Sequence, residues 1–581
     1  MFDSVLVANR GEVAVRVIRA CHDLGIRAIA IASDADEGAL HTRLADDVVR
    51  LGGSSPAESY LNVDAVTRAI VDSGAQAVHP GYGFLSESAE FADVVSNAGA
   101  TYIGPSAAAI AQMGSKISAR RVAANAGVAS VPGLTAEVTT EQQVEEFGAQ
   151  YGYPIAIKAS FGGGGRGMRV VRAPADIGSA LDASRREALA YFGNDQVYLE
   201  KYLEHPRHIE MQIIGDQHGH VVWLGERDCS VQRRHQKLVE ETPALGFDPA
   251  TRQSMGEAAV AIAHEVGYSN AGTIEFLYEK GEFWFLEMNT RLQVEHPVTE
   301  MVTGIDIVAE QIRVAAGEKL SFTQEDVRTV GHSIEMRINA EDPSEGRFSP
   351  TPGTVSLFEP PAGEGLRFDG GYETGDIVSQ FYDSLLGKLI VWANTREESI
   401  DKALNALEAF KIDGVSSTIP AHKMILEHAD FRAGTHDTKW LEEVIEFPDF
   451  AAAGSPSEQS DSENVDRSMV WINNRLHWIP SFSSGPANTP QSSAAPTTGG
   501  GPLRKRVQVE GSGPVTAPLQ GTVVAVRVAN GDVVAIGDVV CVLEAMKMEN
   551  EIKANRSGTV TELAVEVGAS VGPGAAILTI Q

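Results

Sequence analysis

Residues 272–289 read Gly-Thr-Ile-Glu-Phe-Leu-Tyr (272–278), Glu-Lys-Gly (279–281) and Glu-Phe-Trp-Phe-Leu-Glu-Met-Asn (282–289). Two aromatic-rich runs separated by a glycine-containing turn predict a β-hairpin. Side chains alternate along a strand, so Glu275, Leu277, Phe283, Phe285 and Glu287 are expected on one face. A loop centred on Gly281 sets Glu275 directly opposite Glu287. Facing carboxylates repel, which makes sense if a divalent cation sits between them. Asn289 continues the same face and offers a neutral oxygen. Hard oxygen donors of this kind suit Mg²⁺ or Mn²⁺. Two solvated glutamates would be the plainer explanation, but the apolar residues expected beside them argue for a built site.

Upstream, Pro154-Ile-Ala-Ile-Lys158 runs into Ala159-Ser-Phe-Gly-Gly-Gly-Gly-Arg-Gly-Met168, followed by a second strand from Arg169 to Arg172. Consecutive glycines let backbone N–H groups close on an anion, because no Cβ stands in the way. A glycine run between two strands, with Lys158 at its base, predicts a phosphate-covering lid. It is no P-loop, since the G-x-x-x-x-G-K-[ST] string is missing from the sequence. The chain opens with a strand at Val5–Ala8, a turn at Asn9-Arg10-Gly11-Glu12, a helix from Val13 to Leu24 and a strand from Arg27 to Ala32, a βαβ start for a parallel sheet. Met113-Gly114-Ser115-Lys116 precedes another helical stretch. Strands and helices then mix from 333 to 440, around Asp383-Ser384-Leu385-Leu386-Gly387-Lys388.

After Phe450 the composition changes. Residues 451–464 and 481–502 are rich in Ala, Ser, Pro, Thr and Gly, and read as flexible linker. Between them, Met469–Ile472 and Leu476–Ile479 suggest a lone hairpin that docks onto something, since two strands alone are marginal in water. Beyond 511, glycines at 521, 531 and 537 recur at 558, 568 and 574, always 37 positions later, and Leu543 recurs as Ile580. A duplicated β-rich unit predicts a small sandwich of two quasi-equivalent halves. Lys547, in Glu544-Ala545-Met546-Lys547-Met548-Glu549, falls where the halves join.

With 581 residues the chain is too long for one core. Its net charge of −31 disfavours nucleic acid as a partner. Cys21, Cys229 and Cys541 are too far apart in sequence for a disulfide framework or a short-spaced metal cluster. The start, Met1-Phe2-Asp3-Ser4, has no cationic or apolar leader pattern. No apolar run reaches the roughly 20 residues needed to span a bilayer. A cytoplasmic protein is expected.

Two resemblances gather these signals. Ala-Met-Lys-Met within the repeat resembles a biotinyl domain, which implies biotin in amide linkage on Lys547. The glycine-rich lid, the paired glutamates and Asn289 resemble an ATP-grasp enzyme. Longer strings narrow that resemblance to biotin carboxylase: Ala8-Asn9-Arg10-Gly11-Glu12, His79-Pro-Gly-Tyr-Gly-Phe-Leu-Ser-Glu87, Glu226-Arg-Asp-Cys-Ser-Val-Gln-Arg-Arg-His-Gln-Lys237 and Glu287-Met-Asn-Thr-Arg-Leu-Gln-Val-Glu-His-Pro297. The match covers residues 1–445 and again 512–581. It implies a multidomain chain of mixed α/β and α+β class. A Rossmann-like N-terminal domain is expected over 1–113, an ATP-grasp domain with its lid over 114–320 and a mixed C-terminal domain over 333–445. A linker with a docking hairpin over 446–510 and an all-β biotinyl/lipoyl-type flattened barrel over 511–581 would follow.

The resemblance also implies roles. Lys116 and Lys158 would contact ATP phosphates, with Gly164 and Gly165 in the lid. Glu200, Lys201, Tyr202 and Leu203 would hold adenine, while His208, Gln232 and His235 would line the nucleotide pocket. Glu275, Glu287 and Asn289 would hold the metal. Lys237, Arg291 and the Val294 backbone would bind bicarbonate, and Glu295 would be its general base. Bicarbonate is a poor electrophile, so ATP would activate it as carboxyphosphate, with Mg²⁺, Lys116 and Lys158 neutralising the transferring phosphoryl group. Arg337 would stabilise the biotin enolate.

The family implied is the biotin-containing α subunit of acyl-CoA carboxylases of the acetyl-/propionyl-CoA type, with the fused pattern of actinobacterial enzymes. Such a chain would serve fatty-acid and lipid synthesis by supplying malonyl- or methylmalonyl-CoA. Its implied partners are a separate carboxyltransferase β subunit, with room for a small additional subunit, and biotin protein ligase. Two rivals stand beside it: an α subunit for another acceptor (methylcrotonyl-CoA, pyruvate or urea), and a pure carrier with a dead ATP-grasp domain. Three departures from the family pattern show. Phe161 stands where the lid often has another glycine, the half-repeats align without a protruding thumb, and 446–510 is short for a subunit-docking domain.

Lys547 is expected to be the sole biotinylated residue. Intact mass after co-expression with a biotin ligase should rise by one biotin, and Lys547→Arg should abolish the increase. Biotin on another lysine would sink the assignment.

Overall fold

A computed structural model describes residues 1–134, 138–159, 168–192, 195–450, 467–472, 475–480, 514–517, 521–545, 548–571 and 575–581. The readings placed on the lid, on Gly164, Gly165 and Lys547, and on the linkers at 451–464 and 481–502 lie outside the described residues. The chain divides into two units, Met1–Pro448 and Asp449–Gln581.

The first unit begins with β1 (Ser4–Val7), α1 (Gly11–Asp23), β2 (Arg27–Ala32), β3 (Asp47–Arg50), β4 (Ala77–His79) and β5 (Thr101–Tyr102). These strands form a parallel sheet in the order β3-β2-β1-β4-β5, the doubly wound pattern expected of a Rossmann-like domain. Every residue of β1 is buried, as parallel sheets covered on both faces require. Helix α1 starts two residues before the sequence suggests. Gly11, at φ +64°, makes that early entry possible. The preceding residues tie the turn down. Asn9 Nδ2 donates to the carbonyls of Pro80 (2.7 Å) and Tyr82 (2.8 Å), and buried Arg10 forks onto Asp36 at 2.7 and 2.8 Å. Two of the long sequence strings thus hold each other.

Four strands, β6 (Gly133–Leu134), β7 (Ile155–Ala159), β8 (Met168–Val171) and β9 (Val197–Lys201), make a second sheet in the order β6-β9-β7-β8. β7 and β8 bracket the glycine run, with Lys158 opposite Met168. The third sheet is the largest. It runs β14 (Glu282–Asn289), β13 (Asn270–Glu279), β10 (Arg207–Gly215), β11 (Val221–Arg233), β12 (Gln236–Thr242), β15 (His332–Asn339), then the strands Leu385–Ala393 and Leu366–Gly370, each antiparallel to the next. One continuous sheet therefore links residues on both sides of the helices at 296–315. Helix His296–Thr303 packs on it, and its N-terminus brings Glu295 to the sheet.

In the second unit the strands Arg467–Ile472 and Arg475–Pro480 pair as a hairpin, Ile472 opposite Arg475. The repeat then forms two four-stranded sheets. Strand Gly521–Val526 pairs with Val539–Ala545 and with Ser570–Val571 from the other half. Its equivalent, Gly558–Leu563, pairs with Ala576–Ile580 and with Val533–Val534 from the first half. Each half lends one short strand to the other. Matching positions Val523 and Val560, Val540 and Ile577, and Leu543 and Ile580 fill one buried core. Ala545 pairs with Met548 across the next strand pair. Among the described residues no helix is long and apolar enough to cross a membrane.

The N-terminal turn packs tightly against the large sheet. A Cβ on Gly371 would lie 2.6 Å from the Glu12 nitrogen and 2.8 Å from the Gly11 carbonyl carbon. Both are backbone atoms, which cannot swing away. Gly371→Ala should destabilise the chain by about 1–3 kcal/mol. An unchanged thermal midpoint would show the junction to be looser than its geometry.

Candidate active site

Strand register lines charge up across the large sheet. Arg227 on β11 lies opposite Glu210 on β10, Glu210 opposite Glu275 on β13, and Glu275 opposite Glu287 on β14. The facing glutamates are as expected, but the hairpin reaches that register by another route. Glu279 pairs with Glu282, so the turn is Lys280-Gly281, with φ of +54° and +87°. Such positive-φ pairs match the twist of two-residue hairpins. The register then shifts between Glu275 and Phe276, leaving Leu286 as the extra residue of a β-bulge. This corrects the expected face. Trp284, not Phe283 or Phe285, lies opposite Leu277 on the side of Glu275. Phe285 packs with Phe276 and Ile274 in a core cluster that Phe283 borders.

Lys237 gathers three carboxylates. Its Nζ donates to Glu295 Oε1 at 2.6 Å, Glu210 Oε2 at 2.7 Å and Glu275 Oε1 at 3.1 Å. Arg337 lies on the other side of Glu295, with Nη2 donating to Glu295 Oε2 at 2.9 Å and Nε to Glu240 Oε1 at 2.6 Å. Glu295 is fully buried. Burial works against its charge, yet Lys237, Arg337 and Arg227 together hold its carboxyl well below the usual range. Lys237 is raised well above its ordinary value: burial opposes its charge, but Cys229 and the carboxylates of Glu210, Glu275 and Glu295 outweigh it. Glu240 shows the opposite balance. Burial, with the Glu295 charge beside it, pushes it up to about 7 despite Arg337.

The end of the cluster at Glu287 is more open. Glu275 Oε1 also accepts from Asn289 Nδ2 (2.9 Å) and Gln293 Nε2 (3.1 Å), and its other oxygen lies 3.0 Å from His208 Nε2. Burial opposes the charge on Glu275, but Lys237 and His208 lower its pKa strongly. Glu287 has the reverse problem: burial, then the Glu275 charge, raise its pKa. Arg291 ties this end to the rest through Asn289 Oδ1 (2.9 Å), Gln293 Oε1 (3.2 Å) and Glu87 Oε2 (3.1 Å). Two facing carboxylates and an amide oxygen form a hard-oxygen set that fits a divalent cation, which would relieve the repulsion raising Glu287.

The remaining site residues divide between this cluster and a second one. Val294 precedes Glu295, and its carbonyl accepts from Lys388 Nζ at 2.6 Å. Gln232 is buried opposite Lys237, while His235 stands exposed at the turn between β11 and β12. Lys116 opens the helix Lys116–Asn125, and its charge reaches Glu287. Lys158 is paired with Glu200, whose other oxygen accepts from Arg120 Nη2 at 2.7 Å. Lys201 continues β9 and Leu203 is buried just beyond it. The Tyr202 hydroxyl and the Leu203 carbonyl accept from Lys439 Nζ at 2.7 and 3.2 Å.

Glu210, Arg227, Glu240, Gln293 and Lys388 belong to the site yet are missing from the sequence-based set. A signal existed: His208, Glu210 and Gln212 alternate with Ile209, Met211 and Ile213, as Glu335 and Arg337 do with Ile334, Met336 and Ile338.

Four family models match the chain: "Biotin carboxylase, N-terminal domain" at 1–110, "Carbamoyl-phosphate synthase L chain, ATP binding domain" at 115–323, "Biotin carboxylase C-terminal domain" at 335–443 and "Biotin-requiring enzyme" at 513–580. The chain is 43% identical to a biotin-dependent acyl-coenzyme A carboxylase alpha3 subunit of Mycobacterium leprae, over 99% of this chain and 98% of the relative. It is 47% identical to a pyruvate carboxylase subunit of Methanothermobacter thermautotrophicus, over 76% of this chain and 90% of that one. Among solved structures, the biotin carboxylase domain of Hydrogenobacter thermophilus 2-oxoglutarate carboxylase, in complex with MgADP, ADP and bicarbonate, superposes with a TM-score of 0.69. It is 47% identical and covers 76% of this chain and 98% of its own. With this architecture and a near full-length match, the chain belongs to the family of biotin-dependent acyl-CoA carboxylase α subunits, in which a biotin carboxylase and a biotin carrier domain share one polypeptide.

Proposed function

We propose that this chain uses ATP and bicarbonate to carboxylate biotin held on Lys547, for transfer to acetyl- or propionyl-CoA by a separate carboxyltransferase β subunit. The observation that carries this reading is Glu295, buried between Lys237 and Arg337 and held ionised by them. A general base must be unprotonated and within reach of its proton. Lys237, Arg291 and the Val294 backbone would seat bicarbonate beside it. Arg337 would then serve the biotin half of the reaction, because it already spans Glu240 and Glu295 and can offer positive charge where an oxyanion develops.

Glu275, Glu287 and Asn289 would hold Mg²⁺ or Mn²⁺, which would supply positive charge to offset that of the ATP phosphates. Lys116 and Lys158 would contact those phosphates, Lys158 by leaving Glu200. The strand and connector at Glu200–Leu203 would hold adenine, with His208, Gln232 and His235 lining the pocket and Gly164 and Gly165 closing it. Biotin supplies the ureido nitrogen that takes up CO₂, and the 511–581 domain carries it on a 446–510 linker. The borders 1–113, 114–320 and 333–445 divide the carboxylase. Biotin protein ligase would load Lys547 in the cytoplasm, a small additional subunit fits the assembly, and malonyl- or methylmalonyl-CoA for lipid synthesis is the expected product.

The carboxylase part alone does not choose the acceptor, since a pyruvate carboxylase subunit is 47% identical across it. The match over 99% of the chain favours an acyl-CoA. Co-purifying the native partner and assaying an acyl-CoA panel beside pyruvate, methylcrotonyl-CoA and urea tests that choice; turnover with a non-acyl acceptor alone would overturn it.

Glu287→Gln should lower bicarbonate-dependent ATP cleavage by about tenfold to a hundredfold at limiting Mg²⁺ while the fold survives. Full turnover there would contradict the facing-carboxylate reading. Arg337→Ala should bind ATP normally by calorimetry yet carboxylate free biotin about a hundredfold more slowly. Comparable loss of nucleotide binding would move Arg337 to the ATP pocket.

A further inference from the structure

Three strings conspicuous in the sequence have no step of the reaction assigned to them above: Ala8–Glu12, His79–Glu87 and Asp383–Lys388. In the fold they meet at one fully buried lysine. Lys388 has no exposed surface, and Glu12 is 3% exposed. The Lys388 ammonium lies 2.9 Å from Glu12 Oε1, and the Tyr82 hydroxyl donates to the other oxygen of Glu12. Lys388 stays charged. Burial opposes the ammonium, but Glu12, Glu335 and Asp369 raise its pKa above the ordinary value.

Buried lysines are rare and need partners. An ion pair that only fastens α1 to the sheet would be complete with Glu12. The second contact of Lys388 goes elsewhere, to the Val294 carbonyl at 2.6 Å, one peptide before the base Glu295. Lys388 is also the strand partner of Arg337, which binds the far oxygen of Glu295. Glu295 is thus fixed from its side chain by Arg337 and from its backbone by the neighbouring lysine. The Val294–Glu295 peptide lies in a non-repetitive connection just before the helix at 296, where no strand ladder would fix it.

We infer that Lys388, held by Glu12 and Tyr82, is a positioning residue for the bicarbonate half of the reaction. Its hydrogen bond to Val294 sets the peptide that presents both the Val294 backbone and the Glu295 carboxylate. The inference rests on the reading of Val294 and Glu295 as bicarbonate residues. It gives the N-terminal domain a direct part in that step, since two of the three groups in the chain of contacts come from it.

The test measures KM for bicarbonate and for ATP in the full chain, by bicarbonate-dependent ATP cleavage with free biotin. Tyr82→Phe removes one hydroxyl and little volume, so it should fold. It should raise the bicarbonate KM about threefold and leave the ATP KM unchanged. The double variant Glu12→Gln/Lys388→Met removes both buried charges together and should raise the bicarbonate KM about tenfold or more. A wild-type bicarbonate KM in Tyr82→Phe, or equal changes in both KM values, overturns the inference, and Tyr82→Phe decides alone if the double variant does not fold. Glu295→Gln separates the two levels. If it keeps bicarbonate-dependent cleavage, the underlying reading has failed. If it loses cleavage while the Tyr82 and double variants behave as wild type, only the role of Lys388 has failed.

Discussion

Charge compensation inside one antiparallel sheet is the constraint on which the rest of the carboxylase depends. Glu210, Glu240, Glu275, Glu295 and Glu335 are all buried along it, none more than 5% exposed. Isolated ions there would cost several kcal/mol each. Arg227, Lys237 and Arg337 offset that cost for the carboxylates they touch, and removing one partner of such a buried pair costs about 3–5 kcal/mol. The compensation is uneven, and the unevenness sorts the acids. Glu295, shared by two cations, is held charged. Glu335, facing Glu240 across β12 and β15, is pushed well up by burial, with Glu240 adding to the effect. One carboxyl pushed down and another pushed up thus share a cluster, the pattern by which a site can assign different proton roles to identical side chains.

The same sheet explains why the cluster is rigid. Its groups come from β10 through β15, from the turn before the 296–303 helix and from the strand at 385–393, and each of those strands is laddered to its neighbours. Lys237 and Arg337 are therefore held aimed at Glu295 by the sheet, and little reorganisation remains for the reaction itself. The end with Glu287 and Arg291 is the less buried one.

Much of this was legible in the linear sequence, for identifiable reasons. Alternation in 272–289 placed Glu275 opposite Glu287, and the 37-residue repeat foretold two halves of a sandwich. Phe283 and Phe285 depart from the expected face because a bulge at Leu286 and a two-residue turn at Lys280-Gly281 compensate each other, leaving the glutamate register unchanged. Glu210, Glu240 and Lys388 were missed for a different reason. Their partners lie 17 to 376 positions away, and nothing local marks which polar residue of a buried strand will meet which. That Lys158 spends its charge on Glu200, and Lys439 on Tyr202, likewise depends on pairings that only the folded chain brings about.

The central claim is that Glu295 is ionised between Lys237 and Arg337 throughout the working range. Carboxyl-stretch infrared spectroscopy of the full chain, comparing wild type with Glu295→Gln between about pH 5 and pH 9, measures it directly. The substitution should remove an ionised carboxylate band at every pH and no protonated carbonyl band. A protonated band that disappears with Glu295 near neutral pH would contradict the claim.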